Sequence, residues 1–313
     1  MWHRVVSSRL LSSAAAVGAA CSFQQRPEGS WRCSGIRSKQ TSCRCEAQKT
    51  TGSKSVDVVV LGGGIVGAST ALYLAEAGSS VLLVETQALG SGATGMSAAT
   101  VASTGAGDGS NAVWSMTHWT MRALRELQGQ ADAGDHDLDC AFTECGAMEL
   151  LRTEKELQRA LASVEELQRH GYEVQVISPS AAEQLEPALK GAPGLLGVMH
   201  MPQSGYADPC KLMQALEKKA TDAGVDVWEG WEAVAASRQG HNECGKTWLV
   251  ELVSRSRNSG SNAERVSCNH VVLATGAWAN ATGKIFGLEV PVARVKAQMW
   301  SATARNATAT KLS

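Results

Sequence analysis

Nowhere does this chain of 313 residues hold a run approaching the ~18 consecutive apolar side chains of a membrane helix, so no transmembrane segment is expected. Paired cysteine motifs are missing too. Four of the nine cysteines fall early (Cys21, Cys33, Cys43, Cys45), and the other five (Cys140, Cys145, Cys210, Cys244, Cys268) form no CxxC pair and are odd in number. A metal site or a disulfide framework is therefore not expected, and free thiols are. There is no internal repeat. Nor is there a dominant charge: the formal net charge is −1.

That balance conceals an asymmetry. Residues 1–55 carry nine Lys/Arg against only Glu28 and Glu46, which leaves 20 basic and 28 acidic residues for the rest, a net of −8. A body so acidic argues against nucleic-acid partners. The leader, rich in Ser, Ala and Arg, has the composition of an organelle transit peptide. Its apolar stretch Ala14–Ala20 is short for a secretory signal, and a disordered tail is the plainer alternative. Ser42-Cys43-Arg44-Cys45-Glu46-Ala47 resembles plastid processing sites, while Arg4 and Arg9 would suit a mitochondrion; plastid is preferred. Asn280-Ala281-Thr282 and Asn306-Ala307-Thr308 match glycosylation sequons, silent inside an organelle.

What the chain does have is a pyrophosphate-binding pattern. Val56-Asp57-Val58-Val59-Val60-Leu61 reads as a buried parallel strand. It breaks at Gly62-Gly63-Gly64-Ile65-Val66-Gly67, and a helical pattern follows through Ala68, Ala71, Leu72, Leu74 and Ala75. In the G-x-G-x-x-G spacing, Gly62 permits the tight turn and Gly64 lets a diphosphate approach the backbone. Gly67 lets helix and strand pack closely. The orphan N–H groups and positive dipole end of the helix then face the anion. Gly78 ends the helix, and Val81-Leu82-Leu83-Val84 forms the second strand. Glu85 closes it, where a carboxylate can accept hydrogen bonds from both hydroxyls of an adenosine ribose. A glycine-rich turn with a solvent-facing Glu85 would not explain the spacing of all three glycines.

After Glu85 comes a small-residue loop, Gly90-Ser91-Gly92-Ala93-Thr94 and onward to Gly109, which cannot pack a core. Its donors at Ser91, Gly92, Ala93 and Thr94 suit a flat, polar ligand; a flexible linker is the alternative. One helix is expected with Val113, Met116, Thr117, Thr120, Leu124 and Leu127 on one face, with Trp114 and Trp119 as core or interface residues. A strand at Met148–Leu151 precedes a helix striped by Leu157, Leu161, Val164 and Leu167. Ser178-Pro179 caps a short helix. Asp208-Pro209 opens another, lined by Leu212, Met213, Leu216 and Ala220 and ended by Gly224. Strands follow at Val225–Trp228 (parallel), Trp231–Val234 (continuing or answering it), Trp248–Leu252 and Val271–Ala274 (buried), with a polar hairpin loop over Ser254–Ala263.

The long excursion after the first βαβ unit suggests a nucleotide domain interrupted by an insertion. Six ordered blocks then resemble the FAD-dependent amine and amino-acid oxidoreductases of the D-amino acid oxidase type. They are Val58–Gly67 with Glu85, Gly90–Thr94, Cys145–Met148, Gly205–Pro209, Val271–Ala279 and Val290–Gln298. The resemblance implies an α/β fold: a Rossmann-like FAD-binding domain with an interleaved, incomplete α+β substrate domain. It implies a leader at 1–55, a βαβ unit and flavin loop at 56–110 and a mostly substrate-domain insertion at 111–207. A second FAD segment would then span 208–285, and the start of a substrate-domain return 286–313.

It further implies FAD as cofactor, with Gly90–Thr94 beside pyrophosphate and flavin, Gly276 and Trp278 in a turn approaching FAD, and the Val234 backbone at the adenine. Glycine at a strand's carboxyl end independently suits close ligand approach at Gly276; Trp278 is equally well a packing residue. The implied reaction is oxidation of a CH–NH bond of a small amine or amino acid by hydride transfer to flavin, with O2, a quinone or another carrier as acceptor. Such proteins usually run about a hundred residues further, and no Arg or His matches a substrate clamp; Arg294 and Lys296 read as surface strand charges. The block Lys296-Ala297-Gln298 has Ala where relatives often have Gly. Three alternatives stay open: a non-catalytic flavin-binding or assembly protein, an incomplete gene product, and an NAD-dependent dehydrogenase, since Glu85 suits NAD equally. No catalytic residue is assigned.

Overall fold

The structure, a computed structural model, describes residues 22–25, 31–34, 54–102, 111–242, 245–255 and 263–298, without the side chains of 22–25, 31–34, 111–115 and 241–246. Most of the leader, the loop end at 103–110, the Trp114 side chain, Cys244, most of the Ser254–Ala263 loop and the Asn306 sequon lie outside the described residues.

The chain divides into two units, residues 1–50 and 51–313. In the first, β1 (Ser22–Gln25) pairs antiparallel with β2 (Trp31–Ser34), a hairpin that the leader's composition did not announce.

The second unit begins with β3 (Lys54–Leu61), α1 (Ile65–Glu76) and β4 (Val81–Glu85), the expected strand–helix–strand. Gly78 sits at φ +92° beyond the helix, the left-handed conformation that ends helices on glycine. β5 (Thr100–Val101) and α2 (Asn111–Asp132) follow, then β6 (Ala147–Leu151), α3 (Glu154–Arg169), β7 (Gln175–Ile177) and α4 (Pro179–Leu185). Next come β8 (Gly197–Met201), β9 (Gly205–Tyr206), α5 (Pro209–Asp222) and β10 (Asp226–Glu229). The last elements are β11 (Trp231–Asn242), β12 (Gly245–Ser254), β13 (Ala263–Leu273) and α6 (Ala279–Ile285).

The main sheet has the order β10-β4-β3-β13-β12-β11. β10, β4, β3 and β13 run parallel, with Val271 opposite Val59 and Val58 opposite Val81; β13, β12 and β11 form an antiparallel meander. Successive side chains of a strand face opposite sides, so a strand buried on both faces must be apolar throughout. That is what β3 does over Val58–Leu61 and β4 over Val81–Val84. Val58, Val60, Val81 and Leu83 face a core shared with α1, α2 and α5, whereas Val59, Leu61, Leu82 and Val84 face a second core with Val250, Leu252 and Val266. Trp228, Trp231, Trp248 and Phe286 rim the second core.

A separate antiparallel sheet, β6-β8-β7, packs on α3 through Leu151, Ala160, Leu167, Tyr172, Val174 and Met199. β5 and β9 link the two regions: Thr100 pairs with Tyr206, and Thr143 bridges to Tyr206 as well.

The expected caps are present. Thr153 and Glu156 form a reciprocal capping box on α3, the Ser178 hydroxyl accepts from Ala181 N at 3.2 Å, and the Asp208 carboxylate accepts from Cys210 N and Lys211 N. Some expectations need correction. Among the described side chains of α2, burial begins at Met121; Met116 and Thr120 are exposed, and exposed Trp119 meets Tyr73 edge-on at 4.7 Å. Leu161 also faces outward. Periodicity finds a helix face, but not how far along it a neighbour extends. Trp231–Val234 does not extend β10: it starts β11, antiparallel to β12. Val271–Ala274 is half-buried rather than buried, and residues 286–298 hold no strand.

Candidate dinucleotide site

The sheet's carboxyl edge assembles most of the residues singled out in the sequence. Gly62 (φ +104°) carries the chain out of β3; a Cβ there would lie 2.5 Å from the Ala274 carbonyl oxygen. A Cβ at Gly67 would run into the Gly62 carbonyl oxygen, so only glycine lets α1 start this close to β3. Gly64 differs. Its Cβ would meet only the Thr94 hydroxyl, at 3.2 Å, so the surface above it is open. The N–H groups of Gly64, Val66 and Gly67 have no partner among the described residues, and Ile65 and Val66 are exposed. α1, twelve residues long, therefore presents its positive end and three free donors to one spot.

Glu85 stands beside them. Its Oε2 accepts from Gly63 N at 2.7 Å, and its Oε1 accepts from Gln87 N and the Thr86 hydroxyl, each at 3.0 Å. The loop after it is clasped to the turn: Gly90 N donates to Gly63 O at 2.9 Å, and the Thr94 hydroxyl accepts from Ile65 N at 3.1 Å. Ser91 N is taken by Ala88 O, Gly92 faces open space, and Ala93 is exposed. On the far side of the turn, Gly276 (φ +50°) has nothing within 4 Å of its would-be Cβ, and Trp278 is exposed. Val234 sits at a register shift of β11, where a bulge leaves its backbone outside the regular ladder.

Sequence reasoning missed two residues here. Glu229 ends β10 opposite Glu85, and its Oε1 accepts from Leu89 N at 2.5 Å. The signal was available: an acid closing a parallel strand just before Gly230, as Glu85 closes β4. Arg294, read as a surface strand charge, donates from Nε to Ala277 O at 2.8 Å and so ties residues 290–294 to the Gly276–Trp278 turn. Burial, reinforced by Glu229, pushes the Glu217 carboxyl above its ordinary range.

The donor set fits a dinucleotide diphosphate: free helix-start amides over an open glycine, a carboxylate at the neighbouring strand end, and a glycine turn across the edge. The Thr275 hydroxyl adds a polar atom shielded from solvent that has no partner among the described residues.

Residues 57–312 match the family model described as FAD dependent oxidoreductase, abbreviated DAO. The chain belongs to that family. It is 28% identical over 238 residues to 4-methylaminobutanoate oxidase (formaldehyde-forming) of Paenarthrobacter nicotinovorans, covering 76% of this chain and 26% of that protein. To the mitochondrial dimethylglycine dehydrogenase of Rattus norvegicus it is 28% identical over 243 residues, 77% of this chain and 26% of the relative. A crystal structure of glycine oxidase from Geobacillus kaustophilus superposes with a TM-score of 0.62 at 23% identity, over 76% of this chain and 60% of that one. The α/β, Rossmann-like fold is thus shared, and FAD is the family's cofactor. The chain spans between about a quarter and about three-fifths of the length of these relatives. Some relatives are mitochondrial.

Proposed function

We propose that this chain is the FAD-binding portion of an oxidoreductase that oxidises the CH–NH bond of a small amine or amino acid. The observation that carries the reading is the open Gly64 turn with three unclaimed amides beside Glu85. Gly62–Gly67 and Thr94 would hold the pyrophosphate and Glu85 the adenosine ribose. Ser91, Gly92 and Ala93 would lie along the ligand, the Val234 backbone at the adenine, and Gly276 and Trp278 at the flavin end. When bound, the flavin supplies the hydride-accepting chemistry, and the protein's part is to place and orient it. The relatives' names supply the substrate class, since each acts on a small amine or amino acid.

Residues 56–110 and 208–285 then form the nucleotide-binding layer, and 111–207 with 286–313 belong to the substrate side. Residues 1–55, basic and acid-poor, support an organelle address, plastid in preference to mitochondrion.

Purified full-length protein is expected to retain a chromophore absorbing at about 450 nm, bleached anaerobically by an amine or amino-acid donor. Protein that binds no flavin would contradict the reading. Bound flavin that no amine bleaches would favour a flavin-binding protein without turnover.

A further inference from the structure

We propose that the adenosine ribose is held by two carboxylates, Glu85 taking one hydroxyl and Glu229 the other. The inference rests on the dinucleotide reading above and concerns how this chain carries it out. An ionised carboxylate offers about four lone-pair positions. Glu85 has three of them filled within the protein, by Gly63 N, the Thr86 hydroxyl and Gln87 N. One position is left for a pair of neighbouring hydroxyls, each of which is a donor seeking an acceptor.

A second acceptor stands at the next strand end. Glu229 is the register partner of Glu85 in the parallel β10–β4 pair, so the two side chains leave the sheet on the same face at the same height. Glu229 Oε1 accepts from Leu89 N, while Oε2 has no partner among the described residues and the side chain is exposed. Leu89 itself lies over the Gly63–Glu85 junction, in the path of a Gly63 Cβ. The bond to Leu89 N, with Gly230 N donating to Gln87 O, aims Glu229 at the loop that carries Thr94. Neither Glu85 nor Glu229 has an ion-pair partner among the described residues, which leaves both as acceptors.

The test titrates the full-length apoprotein with FAD and with FAD analogues lacking the adenosine 2′- or the 3′-hydroxyl, reading affinity by flavin fluorescence. In the unsubstituted chain each analogue is expected to bind about tenfold more weakly than FAD, as for the loss of one hydrogen bond to a charged acceptor. Glu229→Gln keeps an acceptor for Leu89 N. It is expected to weaken FAD by about tenfold and to abolish the penalty for one analogue only, with Glu85→Gln abolishing the penalty for the other. Glu229→Ala checks the same analogue, with thermal unfolding separating loss of fold from loss of contact. Equal weakening of all three ligands by both Glu229 variants would overturn the proposal by making Glu229 a loop scaffold alone. Loss of both penalties in Glu85→Gln, with Glu229→Gln behaving as the unsubstituted chain, would assign both hydroxyls to Glu85. An unsubstituted chain that binds none of the three would overturn the dinucleotide reading itself.

Discussion

The six-stranded sheet and the three-stranded sheet of the same unit are built to different standards. In the first, β3 and β4 lie between two cores, and Val59, Val60, Leu82 and Leu83 are all at 0% exposure. In the second, β6, β8 and β7 share a single small core with α3, and on the opposite face Val198 is buried while Leu150, Ile177 and His200 are only half-buried. His200 even keeps a shielded Nδ1 with no partner among the described residues. A parallel sheet closed on both faces fixes the backbone at its carboxyl edge within fractions of an ångström, as a phosphate cradle requires. A sheet whose second face is only partly covered holds a geometry less tightly. The chain puts its glycine turn and carboxylates on the first.

The largest effect should come from Gly67→Ala, whose methyl collides with the Gly62 carbonyl at the point where α1 leaves β3. We expect a loss of about 3 kcal/mol or more, read as a lower urea midpoint, together with loss of flavin. The counterpart in the smaller region is Gly205→Ala, which collides with the Thr143 carbonyl. Because only a short β5–β9 link must yield there, about 1–2 kcal/mol is expected, with flavin retained. Equal losses of flavin in the two variants would erase the contrast.

Acid should act on both regions through different carboxylates. Hydrogen bonds from the Ser80 hydroxyl and backbone, and from Asn269, hold Asp57 below its ordinary value of 3.8. The Arg152 backbone, the Thr153 side chain and the Thr153 backbone do the same for Glu156 below 4.5. A carboxyl lowered on folding stabilises the fold above its ordinary value, and that stability is lost as pH falls through the folded value. Denaturant midpoints should therefore begin to drop as the pH falls through about 4.5 and continue to drop below the ordinary carboxylate values. Asp57→Asn should flatten that drop for the whole unit. Glu156→Gln should change only the acid sensitivity of α3, seen in the exchange of its amides. The smallest effect is at Ala99, held at φ +64° just before β5. Ala99→Gly should stabilise by about 0.5 kcal/mol, raising Tm by ~2 °C.

The same contrast explains what could be read from the residues alone. The runs 58–61 and 81–84 are legible because two-sided burial leaves no polar position in them, and the glycine spacing is legible because backbone collisions admit nothing else. The Asp208-Pro209 and Ser178-Pro179 helix starts are legible because capping is local chemistry. β7, β8 and β9 were not foreseen. Gly197-Val198-Met199-His200-Met201 shows neither alternation nor β-branched enrichment, and its pairing is set by tertiary neighbours. The link from Arg294 to Ala277 O and that from Glu229 to Leu89 N join residues 17 and 140 positions apart, and no pattern along the chain encodes such contacts.

Gly64 offers the most direct measurement, because its backbone is ordinary (φ −76°) and its would-be Cβ meets only the Thr94 hydroxyl. Gly64→Leu should leave the unfolding transition and circular dichroism essentially as they were while flavin occupancy of the purified protein falls to background. Unchanged occupancy in that variant would show that no diphosphate lies over the start of α1.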